Sequence, residues 1–432
     1  MTRDYSHRKG QKRVRIVRKD GSPVIGQTVQ YEMTNHEFLW GSAIRETIPY
    51  VNSLLAGEQQ DDLAQRIAHL NPRRTSTAGM DREKIEERIA IWMKLFNNTT
   101  YPFYWQNFEP EQGKPMTWET LQGAKWLKER GITLKGHPLC WHTLCADWLM
   151  QYDNEEILRR QLARIRRDVG YFAGTIDMWD VINEVVIMPI FDKYDNAMTR
   201  VCKEIGRVSL IKQVFDAAKE TNPDATLLIN DFNLSTNYEI LIDGALNAGT
   251  PIDVIGLQTH QHQGYMGAER LYEILERFEH FGLPLHFTEN TLISGHIMPP
   301  DIVDLNDYQI PEWPSTPEGE DRQARETVEM YEIFFSHPLV DNAVSWNFVD
   351  GGWLGAPAGF IRQDNSIKPV YDAVYDLVKN QWWTRGEAVT DANGEIVVDG
   401  FRGDYKIACC GNEAELALRK GKLDGVKVII LD

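Results

Sequence analysis

Between about residues 36 and 384 the chain alternates between short apolar runs and longer amphipathic stretches. Short apolar runs bounded by polar residues and glycine are typical of strands buried in a parallel sheet. The predicted strands are 38–43, 96–100, 133–136, 175–182, 226–230, 254–258, 285–288 and 343–348. The stretches between them predict helices, among them 118–130, 155–168, 208–221, 269–281 and 322–335. Eight strands that alternate with helices favour an α/β fold and predict a (β/α)8 TIM barrel over residues 36–384.

The two ends of the chain follow a different pattern, with short alternating strands separated by turn residues. Strands are predicted at 14–18, 26–33, 387–390, 395–399, 405–409, 415–418 and 426–431. Neither end is long enough to bury a core alone. Residues 1–35 and 385–432 are therefore expected to form together one small, discontinuous β-sandwich beside the barrel. Both a carbohydrate-binding module and a structural brace fit this pattern.

The composition, with 42% hydrophobic and 25% charged residues, is that of an ordinary globular protein. The net charge of −17 disfavours nucleic acid as a partner, because an acidic body repels a phosphate backbone. The sequence shows neither a signal peptide nor an apolar membrane span. We therefore expect no membrane partner and a cytoplasmic location, or secretion if a signal has been removed. The five cysteines show no Cys-x-x-Cys spacing, so neither a disulfide framework nor a zinc site is predicted.

Two apolar runs end in a carboxylate, at the position where a barrel strand presents side chains to an active site. Trp-Asp-Val-Ile-Asn-Glu ends at Glu184, and Leu-His-Phe-Thr-Glu ends at Glu289. They close the fourth and seventh predicted strands. A glycosidase needs such a pair, one acid for the leaving oxygen and one base or nucleophile for the anomeric carbon. Strands of large proteins also end in glutamate without this role, so the pair alone does not decide the function.

Six short motifs, each at or near the end of a predicted strand, are more specific. They are Gly-His-Pro-Leu-Cys-Trp-His at 136–142, Trp-Asp-Val-Ile-Asn-Glu at 179–184, Asn-Asp-Phe-Asn at 230–233, Gly-Leu-Gln-Thr-His at 256–260, Phe-Thr-Glu at 287–289 and Trp-Asn-Phe-Val-Asp-Gly-Gly-Trp at 346–353. In order and spacing this set resembles glycoside hydrolase family 10, whose members are mainly endo-β-1,4-xylanases. The resemblance covers residues 36 to roughly 380.

The resemblance implies a retaining mechanism in which Glu184 is the acid/base and Glu289 the nucleophile. The two carboxyl groups are then expected about 5–5.5 Å apart. Because two such close carboxyl groups do not ionise together easily, the pKa of Glu184 is expected to be raised while Glu289 stays ionised. Asn183 would bond the sugar 2-hydroxyl.

The same resemblance assigns supporting roles around this pair. His260 would bond the nucleophile, and Gln258 would line the acid/base side. His137 and Trp141 would hold the sugar at the cleavage site, and Trp346 and Trp353 would form an aromatic wall over the glycone sugars. No metal and no organic cofactor are expected, and the partner is a β-linked oligosaccharide or polysaccharide of the xylan type.

The chain departs from the family pattern on the side that grips the glycone. Members usually carry Glu, Asn and Lys after the second strand, whereas segment 99–105 reads Thr-Thr-Tyr-Pro-Phe-Tyr-Trp. Leu144, Thr291 and Phe232 also stand where the family has Gln, Asp and Tyr. Each replacement is expected to remove a hydrogen-bonding group, which predicts a more apolar glycone pocket suited to short, substituted or different β-glycosides.

Three alternatives stay open beside a retaining xylan hydrolase. A metal-dependent hydrolase would use His137, His142, His260 and His262 as ligands. A non-catalytic sugar-binding barrel would explain the lost glycone contacts, although it would not need both glutamates. A family-10-like enzyme that acts on another or decorated β-glycoside would explain the lost glycone contacts as well as the retained pair of glutamates. Endo or exo action and the oligomeric state are not determined by the sequence.

Overall fold

The computed structural model describes residues 3–56, 82–421 and 425–431. Eight parallel strands form a closed barrel, since the last strand pairs with both the first and the seventh. In chain order they are β3 (Leu39–Ser42), β4 (Asn98–Pro102), β5 (Thr133–His137), β6 (Met178–Asn183), β7 (Thr226–Asp231), β8 (Val254–Leu257), β10 (Leu285–Leu292) and β11 (Val340–Ser345). The predicted (β/α)8 barrel is confirmed.

Helices surround the barrel and bury one face against it. Their bounds are Thr47–Ala56, Arg82–Leu95, Trp105–Phe108, Thr117–Lys128, Asn154–Phe172, Ala197–Ile205, Arg207–Thr221, Thr236–Asn247, Gly267–Glu279, Pro317–Ser336 and Pro369–Asp376. Helix Asn154–Phe172 shows why they form. Asp153 caps it by accepting a hydrogen bond from the Glu156 N–H, and buried Ile157 and Ile165 recur at helical spacing. No described helix is long and apolar enough to cross a membrane.

Strand β10 is longer than the sequence predicts. The apolar run stops at 288, but the strand continues to Leu292 because its second half pairs with the short strand β9 (His260–Gln261). Glu289 therefore lies within a strand instead of at its end, and this prediction is wrong in detail. The pairing brings His260 beside the residues that follow Glu289, with Thr291 opposite it in the register.

The two ends of the chain form two antiparallel or mixed sheets next to the barrel, as predicted. Strand β1 (Lys9–Arg18) lies between β13 (Glu395–Phe401) and β16 (Val426–Leu431). Strand β2 (Thr28–His36) lies between β12 (Arg385–Val389) and β14 (Gly403–Cys409), which also pairs with β15 (Asn412–Leu418). Both sheets bury alternate apolar side chains in the same core as the barrel. Each N-terminal strand thus needs C-terminal strands on both sides.

Arg8 ties this terminal module to the barrel. It is 5% exposed, and its Nε donates to the Phe335 carbonyl at 2.8 Å while Nη2 donates to the carbonyls of His337, at 2.6 Å, and Val340. The guanidinium also lies 4.8 Å from the ring centroid of Phe38. Burial lowers the pKa of Arg8 to about 10, so the side chain remains a cation at neutral pH.

Arg8→Ala is expected to lower the free energy of unfolding by about 2–4 kcal/mol, because it leaves buried carbonyl groups without donors. Arg13→Ala is a matched control, since Arg13 lies exposed on strand β1, which begins directly after Arg8; it should change stability by less than about 0.5 kcal/mol. Denaturant unfolding followed by tryptophan fluorescence measures both. Equal stability of the two variants would show that Arg8 does not join module and barrel.

Candidate active site

All nine residues that the sequence singled out line one cavity of about 1320 Å³ at the carboxyl ends of the barrel strands. They are His137, Trp141, Asn183, Glu184, Gln258, His260, Glu289, Trp346 and Trp353. Parallel strands bring the residues at their carboxyl ends to one face of the barrel. Residues far apart in the chain therefore meet in one site.

Glu184 directly follows β6 in an unusual backbone conformation. Its φ is 55°, in the left-handed region that residues other than glycine seldom adopt. Its backbone N–H donates to the Asn230 carbonyl at 2.8 Å, which holds this turn. In the carboxyl group, Oε2 accepts from Trp141 Nε1 at 2.8 Å, and Oε1 lies 3.4 Å from Gln258 Nε2. Gln258 and Trp141 thus both contact the Glu184 carboxyl group.

The surroundings of Glu184 favour its protonated form. Burial, followed by the negative charges of Glu289 and Asp231, raises the pKa of Glu184 to about 8. The hydrogen bonds from Trp141 and Gln258 act in the opposite direction but do not offset this. At neutral pH the Glu184 carboxyl therefore holds a proton that it can donate.

The surroundings of Glu289, in contrast, favour its ionised form. Its Oε1 accepts from Asn230 Nδ2 at 2.9 Å, and its Oε2 lies 3.1 Å from His260 Nε2. Burial alone would raise the pKa of Glu289, but the hydrogen bond with His260 and the charges of His137, His260 and Lys135 lower it below its ordinary value. The two carboxyl groups of the cavity thus differ in protonation at neutral pH, as expected from the sequence.

Asn230 connects the two carboxyl-bearing strands. Its Nδ2 donates to Asn183 Oδ1 at 2.8 Å as well as to Glu289, and its Oδ1 accepts from Thr288 Oγ1 at 2.6 Å. Gln258 Nε2 donates to the same Asn183 oxygen at 3.0 Å. Asn183 therefore accepts through its oxygen, which leaves its amide nitrogen to donate to a ligand. The sequence placed Asn230 in a motif but assigned it no role.

A buried ion pair orients His137. Asp180 Oδ2 lies 2.7 Å from His137 Nδ1 and 2.7 Å from Lys135 Nζ, and both Asp180 and Lys135 are fully buried. Although burial opposes it, the positive charge of Lys135 and the hydrogen bond with His137 lower the pKa of Asp180. Sequence analysis missed this pair. The available signal was a charged residue inside each of two apolar strands, since such charges are seldom buried without a partner.

An aromatic wall stands beside the carboxyl groups. The Trp346 ring centroid lies 5.4 Å from that of His137, and the Trp353 centroid lies 4.5 Å from that of His260. Tyr104 extends the wall, at 5.6 Å from His137. Flat apolar faces of this kind suit the faces of sugar rings.

The residues that depart from the family pattern differ in where they lie in the structure. In segment 99–105, Thr99 and Tyr101 are fully buried, and only Pro102 and Tyr104 line the cavity. Leu144 and Phe232 also line it. Thr291, however, keeps a polar contact, because its Oγ1 lies 2.7 Å from His260 Nδ1. The expectation that every replacement removes a hydrogen-bonding group is wrong at Thr291, whose hydroxyl orients the histidine beside Glu289.

The four histidines that a metal-dependent hydrolase would use as ligands are not grouped around a common point in the described part of the chain. Burial lowers the pKa of His142 to about 4 and that of His262 well below its ordinary value, so both are neutral imidazoles. His137 and His260 bond to Asp180 and Glu289 as described above. Within residues 3–56, 82–421 and 425–431, no three His, Cys, Asp or Glu side chains are grouped so that they could hold a metal ion.

Ion pairs connect two loops at the rim of the cavity, the loop after β6 and the loop after β10. Lys193, in the loop after β6, lies 2.6 Å from Asp304 and 2.6 Å from Asp307, which belong to the loop after β10. Both loops line the cavity. Since these side chains are partly exposed, the ion pairs contribute little to stability, but they bring the two loops together beside the site.

Comparison with known proteins agrees with this geometry. Residues 73–377 match the model of Glycosyl hydrolase family 10. The chain is 26% identical over 313 residues to endo-1,4-beta-xylanase B of Thermotoga neapolitana, covering 68% of this chain and 84% of that enzyme. It is 23% identical over 409 residues to the anti-sigma-I factor RsgI6 of Acetivibrio thermocellus. That alignment covers 93% of this chain and 45% of the longer relative.

Solved structures share the fold. A family 10 protein of Paenibacillus barcinonensis is 22% identical with a TM-score of 0.61, over 80% of this chain and 96% of its own. Xylanase 10B of Thermotoga petrophila, solved with xylobiose, is 22% identical with a TM-score of 0.57, over 69% and 90% of the two chains. The family model spans more than half of the 432 residues, and this chain therefore belongs to glycoside hydrolase family 10.

Proposed function

We propose that this enzyme hydrolyses β-1,4-xylosidic bonds in xylan or xylo-oligosaccharides by double displacement with retention of configuration. Glu289 is the nucleophile and Glu184 the acid/base. The observation that carries the proposal is the placement of two differently bonded carboxyl groups in one cavity, Glu184 against Trp141 and Glu289 against Asn230 and His260. Their pKa values shift in opposite directions, upward to about 8 for Glu184 and downward for Glu289. One protonated and one ionised carboxyl group are the reagents that glycoside cleavage needs.

In the first step the Glu289 carboxylate attacks the anomeric carbon and forms an ester with the sugar. The bond to the leaving oxygen breaks, and that oxygen takes the proton of Glu184. Asn183 donates to the 2-hydroxyl, where charge changes as the transition state approaches an oxocarbenium ion. His260 and Asn230 hold Glu289 in the ionised form and in place until it attacks.

In the second step a water molecule attacks the same carbon. Glu184, now a carboxylate, takes a proton from that water, while the ester bond breaks and the carboxylate of Glu289 is restored. Two inversions at one carbon leave the product with the configuration of the substrate. The supporting side chains act in both steps, so their contributions to rate should not be additive.

Product analysis tests this function. The enzyme is incubated with xylan, linear xylo-oligosaccharides, cello-oligosaccharides and aryl β-xylosides, with Glu289→Ala as control, and early products are examined by proton NMR. We expect xylo-oligosaccharides whose new reducing end is first the β-anomer. An α-anomer as the first product would contradict double displacement. No cleavage of any substrate would instead support the alternative of a sugar-binding barrel.

The replaced glycone positions favour a second candidate, a family 10 enzyme for a decorated β-glycoside. Pro102 and Tyr104 line the cavity from the segment in which the family usually carries Glu, Asn and Lys. Activity restricted to short, branched or aryl substrates in the same panel would support this candidate. Release of xylobiose and xylotriose from unbranched xylan would support the first.

A further inference from the structure

Arg45 lies in the cavity wall after the first barrel strand, β3. Its guanidinium carbon is 5.4 Å from the ring centroid of Tyr104 and 5.4 Å from that of Trp346. Its Nη2 donates to the Tyr104 hydroxyl at 3.2 Å. Two aromatic rings and one hydrogen bond therefore position the cation before any ligand arrives. Trp346 belongs to the wall that the family resemblance assigns to the glycone sugars.

Among the residues that the structure describes, no carboxylate matches the charge of Arg45. Three lysine or arginine side chains line the cavity among the described residues. Lys193 pairs with Asp304 at 2.6 Å, and Arg270 pairs with Glu273 at 2.7 Å. In the part of the chain that the structure describes, no carboxylate lies within ion-pair distance of Arg45. A ligand can supply that missing charge.

Two neighbouring features point the same way. The adjacent Glu46 bonds to Arg88 Nη1 at 3.1 Å, so its carboxylate is committed to another cation. The Nε of Arg45 is shielded from solvent and has no hydrogen-bond partner within the described ranges. A buried donor without a partner is unfavourable, so the protein satisfies this guanidinium only in part.

We propose that Arg45 forms a subsite for an acidic sugar on the glycone side, so that the preferred β-glycoside carries a uronate carboxylate there. This inference rests on the proposed hydrolytic function and narrows its substrate class. A guanidinium presents N–H donors in a planar fork that matches the two oxygens of a carboxylate. The uronate is either a branch on a xylose unit or the glycone sugar itself, since both present the same group.

Arg45 lies close enough to the catalytic carboxyl groups to influence which substrate is bound. Trp346 lies 6.1 Å, between ring centroids, from His260, which contacts Glu289. Arg45 is thus one aromatic ring removed from the catalytic centre, near enough to contact a sugar bound there. The net charge of −17 repels anionic ligands only weakly at this point, because salt screens charges beyond about 8 Å.

The test compares paired substrates of equal length. One pair is a xylo-oligosaccharide with and without a glucuronic acid branch, and the other is an aryl β-glucuronide and an aryl β-xyloside. For one pair we expect kcat/KM to be about 10- to 100-fold higher with the acidic member, the range expected for a charged hydrogen-bonded contact. The pair that shows the preference identifies the source of the uronate. Equal values in both pairs would overturn the proposal.

Variants assign the preference to Arg45. Arg45→Gln should abolish the acidic preference while changing kcat/KM for the neutral substrate less than about threefold, and Arg45→Lys should retain part of it because lysine keeps the charge without the fork. Arg270→Gln is the matched control, since Arg270 already has a carboxylate partner. It should leave the ratio of acidic to neutral activity as in the wild type. An equal loss on both substrates in Arg45→Gln would contradict the inference.

A binding measurement separates this inference from the proposed function. Calorimetric titration of Glu289→Ala with the branched and unbranched xylo-oligosaccharides should show tighter binding of the acidic one. The preference should disappear when Arg45→Gln is added. If the wild type cleaves no substrate but this preference is found, hydrolysis fails and the subsite stands. If no Arg45-dependent preference is found, the subsite is absent whether or not the enzyme is active.

Discussion

Replacing Glu289 by alanine should lower kcat by roughly 10⁴-fold or more, because without the carboxylate no covalent intermediate forms. The alanine leaves space beside the anomeric carbon while Asn230 and His260 remain in place. The variant should still unfold cooperatively, since Glu289 is a polar side chain at the cavity and not part of the apolar core. Steady-state kinetics on xylo-oligosaccharides, with a thermal unfolding curve of the same sample, measures both effects.

Added azide should restore activity to Glu289→Ala, because it can replace the missing nucleophile. An azide ion that enters the space left by Glu289→Ala attacks an aryl β-xyloside from the side where the carboxylate stood, displaces the aryl oxygen and yields an α-xylosyl azide. The matched control is Glu289→Gln, which leaves no such space and should not be rescued. A β-configured azide, or wild-type activity in Glu289→Ala without azide, would remove Glu289 from the role of nucleophile.

Replacing Glu184 should have the second largest effect, and its size should depend on the leaving group. Glu184→Ala is expected to lower kcat/KM for xylo-oligosaccharides by about 10²–10⁴-fold, the usual contribution of a general acid. Aryl β-xylosides with acidic phenols need little protonation, so the loss in kcat/KM should be much smaller for them. An equal loss on both substrate classes would show that Glu184 does not protonate the leaving oxygen.

The dependence of kcat/KM on pH tests the protonation state of Glu184. Because the active enzyme requires protonated Glu184, kcat/KM of the wild type should fall as pH rises through about 8. It should also fall at acid pH, where Glu289 takes up a proton, and this limb should lie below the ordinary range of a glutamate because the pKa of Glu289 is lowered. Glu184→Gln cannot lose a proton, and its residual activity should lack the alkaline limb. A limb that persists in this variant belongs to another group.

The pKa of Glu184 also predicts a change in stability with pH. Its folded-state pKa of about 8 exceeds the value of an unfolded glutamate, so the folded state binds the proton more tightly. The free energy of unfolding should therefore decrease as pH rises from about 4.5 to about 8. Relative to the wild type, Glu184→Gln should gain stability over that range, which thermal unfolding at a series of pH values measures.

The sequence by itself predicted the fold class, which the structure confirms, and it proposed Glu184 and Glu289 as the two central residues. Alternation of apolar runs with amphipathic stretches is local information, and it predicted all eight barrel strands within a few residues. Glu184 and Glu289 were found because a carboxylate stood out after an apolar run, and six ordered motifs placed them in a family. The sequence also led to the expectation that the two chain ends pair with each other, because neither end is long enough to bury a core alone.

Beyond His260 and Gln258, which the family resemblance had already suggested, only the tertiary structure showed which other side chains surround these carboxyl groups. Asn230 reaches Asn183 and Glu289, which lie 47 and 59 positions away in the chain, and Lys135 neutralises Asp180 across two strands. Thr291 retains a contact with His260 that its identity alone did not reveal. Arg45 belongs to no motif of the sequence. Only the folded barrel shows that, within the described residues, its guanidinium lies in the cavity wall without a carboxylate partner. Hydrogen bonds and ion pairs depend on distances between side chains, whereas hydrophobic periodicity specifies only which face of each strand or helix is buried.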